Sequence, residues 1–181
     1  MTNFIKDIRR KKIMLDLKSA PRVKKIANIE DIKTIGVICT LSDEYHWNII
    51  NHFSKVMENQ GKEVRIMALQ QKDQDINFVI THQATYKCRM SNDFNFWGLP
   101  NEDTILPFIE HPYGLLIDTI GDDNFFSQYI ALRTTADLKV AYATPTEDPT
   151  DVYDLIIRGD GKIELKDFFN NVIEYLSMVK K

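Results

Sequence analysis

Cysteine is scarce in this 181-residue chain, which carries only Cys39 and Cys88. Two cysteines build neither a disulfide scaffold nor a four-thiolate zinc site. No apolar run approaches the ~18 residues that a membrane-crossing helix needs. Glycine-rich phosphate loops are missing too: neither G-x-G-x-x-G nor G-x-x-x-x-G-K-[ST] occurs. That absence speaks against NAD, FAD or ATP held in the usual backbone cradle, and no cofactor is expected. A serine nucleophile has no G-x-S-x-G elbow to sit on. Charge of one sign is also small, with a net of −3, and 44% of residues are apolar, so the bulk of the chain is not disordered.

Positive charge is concentrated at one end. Met1–Lys25 holds nine Lys/Arg against Asp7 and Asp16, a balance of +7, while the remainder holds 14 basic and 24 acidic residues. The segment does not read as a secretory signal, because its apolar stretch Ile13–Leu17 is short and broken by Asp16. The expected location is therefore the cytoplasm, with both thiols reduced. Phe4, Ile5, Ile8 and Leu15 follow helical spacing until Ser19-Ala20-Pro21. This predicts a basic helical arm over 1–25, ahead of a single domain over 33–181. Two readings of the arm stay open: a contact for polyanions such as nucleic acid or anionic lipid, or a solvated helix packed by one apolar edge on an acidic body. No aromatic residues interleave with the basic ones to stack bases, so nucleic acid is not the expected partner.

Further along, short apolar runs alternate with amphipathic ones. Thr34–Cys39 reads as a buried strand, with Ser42 as helix N-cap and Asp43 and Glu44 in the first turn. Ile49, Ile50, Phe53, Val56 and Met57 keep a 3.6-residue beat until Gly61. Glu63–Leu69 reads as the next strand. Asn77–His82 and Tyr86–Met90 suggest a β-hairpin, followed by the aromatic run Asp93–Gly98 and a short helix between Asn101 and Glu110, in which Pro107 suits only a first turn or a break. Tyr113–Asp118 is a strand; Asp122-Asp123 opens a helix; Leu138–Tyr142 and Tyr153–Ile157 are strands. Leu165, Phe168, Phe169, Val172, Ile173, Leu176 and Val179 form the strongest helical stripe. The pattern predicts an α/β fold: a doubly wound, mainly parallel Rossmann-like sheet with a β-hairpin excursion and a basic N-terminal helix.

In such a sheet a ligand binds beyond the strand carboxyl ends. The residues that this geometry nominates are Ser42, Asp43, Glu44, Asp118, Thr119, Asp122 and Thr144. Three strand-end carboxylates converging on Mg²⁺ are conceivable, but Asp43, Glu44, Asp122 and Asp123 are equally explained as helix-capping acids, and no metal is expected. Asp118, ending an apolar strand, is the acid that capping does not explain. His46 and His52 lie about 240° apart on their helix and cannot share a metal. The order Asp43/Glu44, Asp118, Thr144, Lys162 parallels a phosphoacceptor receiver domain, yet the long excursion from Gln70 to Pro112 and the lack of a Lys-Pro pair depart from it. Cys39, inside a strand, is expected to be inert.

Two resemblances add to this reading. Asp93–Gly98, Tyr113–Asp118, Lys139–Tyr142, Tyr153–Ile157 and Val172–Leu176 together resemble an uncharacterised family of small bacterial α/β proteins, a domain of unknown function. That likeness implies a cytosolic Rossmann-like domain and brings no activity or site residues. Thr34–Tyr45 and Tyr113–Tyr142 resemble the amino-terminal half of heptosyltransferase-like GT-B glycosyltransferases, which implies Asp43 in the place of their catalytic Asp. Ser42 stands where those enzymes have glycine, and 181 residues leave no room for their donor-binding domain.

The expectation is thus a non-catalytic cytosolic binding or interaction module, with an unknown protein or a small molecule as partner. The alternative is an enzyme or half-enzyme acting on an anionic or sugar-like small molecule at the strand carboxyl edge. Oligomeric state is not legible in these residues.

Overall fold

A computed structural model describes residues 2–18, 23–71, 84–121, 124–143, 151–158 and 164–180. Its elements are α1 (Thr2–Lys18), β1 (Thr34–Thr40), α2 (Glu44–Asn59), β2 (Glu63–Gln70), β3 (Thr85–Arg89), α3 (Glu102–Ile109), β4 (Tyr113–Asp118), α4 (Phe125–Arg133), β5 (Ala136–Ala143), β6 (Leu155–Arg158) and α5 (Leu165–Ser177). The strands form one six-stranded sheet in the order β3-β2-β1-β4-β5-β6. Every neighbouring pair is parallel. This is the doubly wound architecture expected from the alternation of strand and helix.

β1 and β4 sit at the centre because their residues tolerate burial on both faces. Val37 and Cys39 of β1 and Leu115 and Ile117 of β4 face one core, which Trp47, Ile50, Phe53 and Met57 of α2 and Phe168, Phe169, Val172 and Leu176 of α5 complete. Ile38 and Leu116 face the other, beneath Ile105 and Phe108 of α3 and Phe126, Tyr129 and Ile130 of α4. Phe53 and Phe169 stack at 4.2 Å between centroids and join α2 to α5. Helices thus cover both faces, as a sheet of buried parallel strands requires.

Three sequence expectations change, and a fourth, the hairpin, is described only in its second half. The second half of the expected hairpin is β3, which lies parallel to β2, with Ile66 opposite Thr85 and Gln70 opposite Arg89; the first half, Asn77–His82, lies outside the described residues. A five-residue run that buries little but Cys88 has no pattern that reveals its direction. Pro107 lies inside α3 rather than at a break. The helix after β1 is capped by Asp43, not Ser42. The helix after β4 begins at Asn124, whose side-chain oxygen accepts from the Phe126 and Ser127 N–H groups at 3.0 and 3.3 Å; Asp122 and Asp123 lie outside the described residues.

α1 rests on the body by one edge. Met14 is buried in the α3/α4 core, with Ile13 and Leu17 packed beside it. Arg10 Nε donates to the Trp97 carbonyl at 3.3 Å, and its guanidinium lies 4.6 Å from the centre of the Phe125 ring.

Close packing at the sheet centre depends on one missing side chain. A Cβ on Gly36 of β1 would meet Leu116 Cδ1 at 2.8 Å, Tyr113 Cε1 at 3.1 Å and Phe108 Cζ at 3.2 Å. Gly36→Ala is expected to destabilise the protein by about 1–3 kcal/mol through overpacking. Urea unfolding followed by circular dichroism checks this, with the midpoint falling at an unchanged slope.

Candidate functional site

The strand order reverses between β1 and β4, and the chain leaves their carboxyl ends toward opposite faces, to α2 and to α4. A crevice opens where these connections part. A cavity of about 690 Å³ occupies it, lined by residues from both connections together with Gln71, Tyr142 and the start of α5.

The β1 side is built around an acid. Asp43 caps α2, accepting from the His46 N–H at 2.8 Å. Its carboxylate also meets His46 Nδ1, at 2.6 Å from Oδ2, and accepts from Ser42 Oγ at 3.0 Å. The His46 backbone N–H outweighs the loss of hydration at the site and, with lesser help from the side-chain bonds of His46 and Ser42, holds the Asp43 carboxyl below the usual carboxylate range. A negative group therefore already fills the helix N-terminus, which nucleotide-binding proteins of doubly wound architecture leave open for phosphate. Tyr45, 63% exposed, stands at the mouth with its ring edge-on to His46.

On the β4 side Thr119 stitches the two strand ends together. Its N–H and hydroxyl both donate to the Ile38 carbonyl, at 2.9 and 3.0 Å. Ile120 and Asn124 continue the wall, and Tyr142, Leu165 and Phe168 close the back. Glu164 precedes α5 without making a side-chain capping bond, so its carboxylate is available to the cavity.

Asp118 sits at the same rim but does not line the cavity. It is fully buried, one strand over from Ile38. The Ile120 N–H donates to its Oδ1 at 2.8 Å and the Tyr153 hydroxyl donates to its Oδ2. Burial pushes its carboxyl up from 3.8 to about 6, against the opposing hydrogen bonds from Tyr153, Ser127, Ile120 and Gly121. Its place is behind the β4–α4 connection, bracing the loop that forms one wall.

The nominated residues thus divide. Ser42, Asp43 and Thr119 line the crevice. Glu44 is exposed in the first turn of α2. Asp118 is the buried brace. Asp122 and Thr144 lie outside the described residues. Among the described residues no group of three or more His, Cys, Asp or Glu side chains is placed to hold a metal ion. Cys39 is buried, and burial followed by the nearby Asp118 charge raises its thiol far above the ordinary value; Cys88 is buried as well, which pushes its thiol up to about 12. Reading the sequence missed Tyr45, Gln71, Asn124, Tyr142, Glu164 and the Tyr153 contact. Asn124 was findable as a capping residue type just past a strand, whereas the others carry no local signature.

A second cavity, of about 480 Å³, runs along the outer edge of the sheet between β6 and the later half of α5, away from the parting loops. Among the described residues no helix is long and apolar enough to cross a membrane.

The model of a protein family of unknown function matches residues 6–179. No curated protein and no solved structure matches the chain.

Asp118 gives a pH signature of opposite sign to that of a salt-bridged carboxylate. Its carboxyl binds a proton more tightly in the native than in the unfolded chain, so between its two values, 3.8 and about 6, its contribution to stability falls as pH rises. Once both states are ionised that loss is on the order of 3 kcal/mol. The melting temperature of the wild type relative to Asp118→Asn should therefore drop by about 6–12 °C between acid and neutral pH, as followed by calorimetry.

Proposed function

The chain belongs to DUF6913, a family of unknown function, and on the chemistry of its crevice we propose that it is a cytoplasmic binding module for an uncharged, hydroxyl-rich small molecule. The observation that carries this reading is the composition of the cavity. Two carboxylates (Asp43, Glu164), two carboxamides (Gln71, Asn124) and the hydroxyls of Thr40, Ser42 and Thr119 surround it. No lysine or arginine lines it among the described residues. Such a lining exchanges hydrogen bonds with sugar-like hydroxyls and repels phosphate or carboxylate groups, so it favours the sugar-like over the anionic ligand. The rings of Tyr45, Tyr142 and Phe168 add flat apolar surface for the C–H faces of such a molecule. Two buried free thiols suit a reducing compartment.

One contact supports a second reading, as an enzyme at the same edge. The Asp43 carboxylate on His46 Nδ1 is the arrangement that orients an imidazole as a general base, leaving Nε2 for a substrate hydroxyl.

Thermal-shift titration with neutral monosaccharides, disaccharides and polyols, alongside NAD and ATP, tests the proposal. Hydroxyl-rich compounds should raise the midpoint, by about 2.7 kcal/mol of stabilisation at a hundredfold excess over Kd. The shift should be lost in Tyr45→Ala and Thr119→Val. A midpoint that moves only with nucleotides, or with none of the panel, overturns it. His46→Ala separates the readings: an enzyme loses turnover while still binding, whereas a module shows no turnover to lose.

A further inference from the structure

The crevice leaves the basic helix α1 unused. Its described residues present two opposite stripes, as residues three and four apart share a helix face. Arg10, Ile13, Met14 and Leu17 point inward onto α4 and the loop at Trp97. Ile8, Lys11, Lys12 and Leu15 form the outer stripe. Ile8 is 53% and Leu15 67% exposed, although each is a large apolar side chain. Lys11 and Lys12 are exposed between them, and neither makes an ion pair with a described residue. Of the acids on the helix, Asp16 is exposed next to this stripe. Arg9 stacks 4.2 Å over the Trp97 ring, and Trp97 touches the ring of Phe96, which is itself 64% exposed. Those contacts bring a further aromatic ring, largely exposed, alongside the helix.

We propose that the outer face of α1 docks the protein on an anionic lipid surface. Charge selects the partner: the segment Met1–Lys25 carries +7 while the rest of the chain is acidic overall, so only this end is drawn to a negative surface. Shape and apolarity select the kind of surface. Ile8 and Leu15 are roughly 10 Å apart along the helix axis, on a convex face that offers a protein no groove. A fluid headgroup layer takes two such side chains as shallow wedges while its phosphates meet the lysines between them. A polynucleotide satisfies the lysines but leaves Ile8 and Leu15 in water. Docking by this helix places the protein at a membrane without a spanning segment.

Cosedimentation of the full chain with vesicles tests this. The protein should pellet with phosphatidylcholine vesicles containing phosphatidylglycerol, remain in solution with pure phosphatidylcholine, and be released by high salt. Lys11→Glu/Lys12→Glu should weaken binding about tenfold or more. Leu15→Ser should weaken it several-fold, with the melting temperature of both variants unchanged because these side chains are exposed. No pelleting with anionic vesicles overturns the proposal, and so does binding that the lysine variant leaves intact. Binding that is indifferent to Leu15→Ser, together with retention of duplex DNA in a gel shift, overturns it in favour of a polynucleotide.

Discussion

The constraint on which the rest of this structure depends is the burial of β1 between β2 and β4, with apolar side chains on both of its faces. A strand in that position needs helices above and below, and parallel neighbours on both sides. The chain meets both demands by winding from β1 outward to β3, returning across α3 to β4, and winding outward again to β6. Gly36 lets Tyr113, Phe108 and Leu116 close over the sheet centre. Because α2 and α4 leave adjacent strands toward opposite faces, their loops must part, and the crevice follows from the winding rather than from any residue placed to make it.

Two acids at neighbouring strand ends stand in different surroundings. Asp43 faces solvent and the α2 N-terminus, where backbone N–H groups keep it charged. Asp118 is turned into the core, where loss of water favours its neutral form and hydrogen bonds from Tyr153 and Ile120 hold it in place. The first colours the cavity with negative charge. The second never meets it and acts through the loop that Ile120 and Asn124 share. With the basic charge gathered on the amino-terminal segment instead, the chain is polarised, a carboxylate-lined crevice in the body set against a cationic helix.

Legibility in the sequence followed how local each signal was. β4 was readable to its last residue because YGLLID is an unbroken apolar run ending in a polar one, and α5 because seven apolar residues repeat at helical spacing. The candidate rim was readable as well, since residues after parallel strands share one edge. β3 was readable as a strand but not as a parallel one: the direction of a short edge strand is set by its register with β2, which no residue within it encodes. Caps went astray by one or two positions, Ser42 for Asp43 and Asp122 for Asn124, because several adjacent residues there are chemically able to cap. Tyr153, taken for a strand residue, is instead the partner of Asp118, 35 positions away in the chain.

The amino-acid order alone thus determined the alternation of elements, the two-sided burial of the central strands and the separation of charge between the amino-terminal helix and the body, since all three arise from patterns spanning a few residues. Only the tertiary structure decided which side of the rim each acid faces, which residues from Gln71, Tyr142 and Glu164 complete the cavity, and which stripe of α1 stays uncovered. Those outcomes depend on contacts between segments distant in the chain, where packing and exclusion of water, rather than local preference, choose the arrangement.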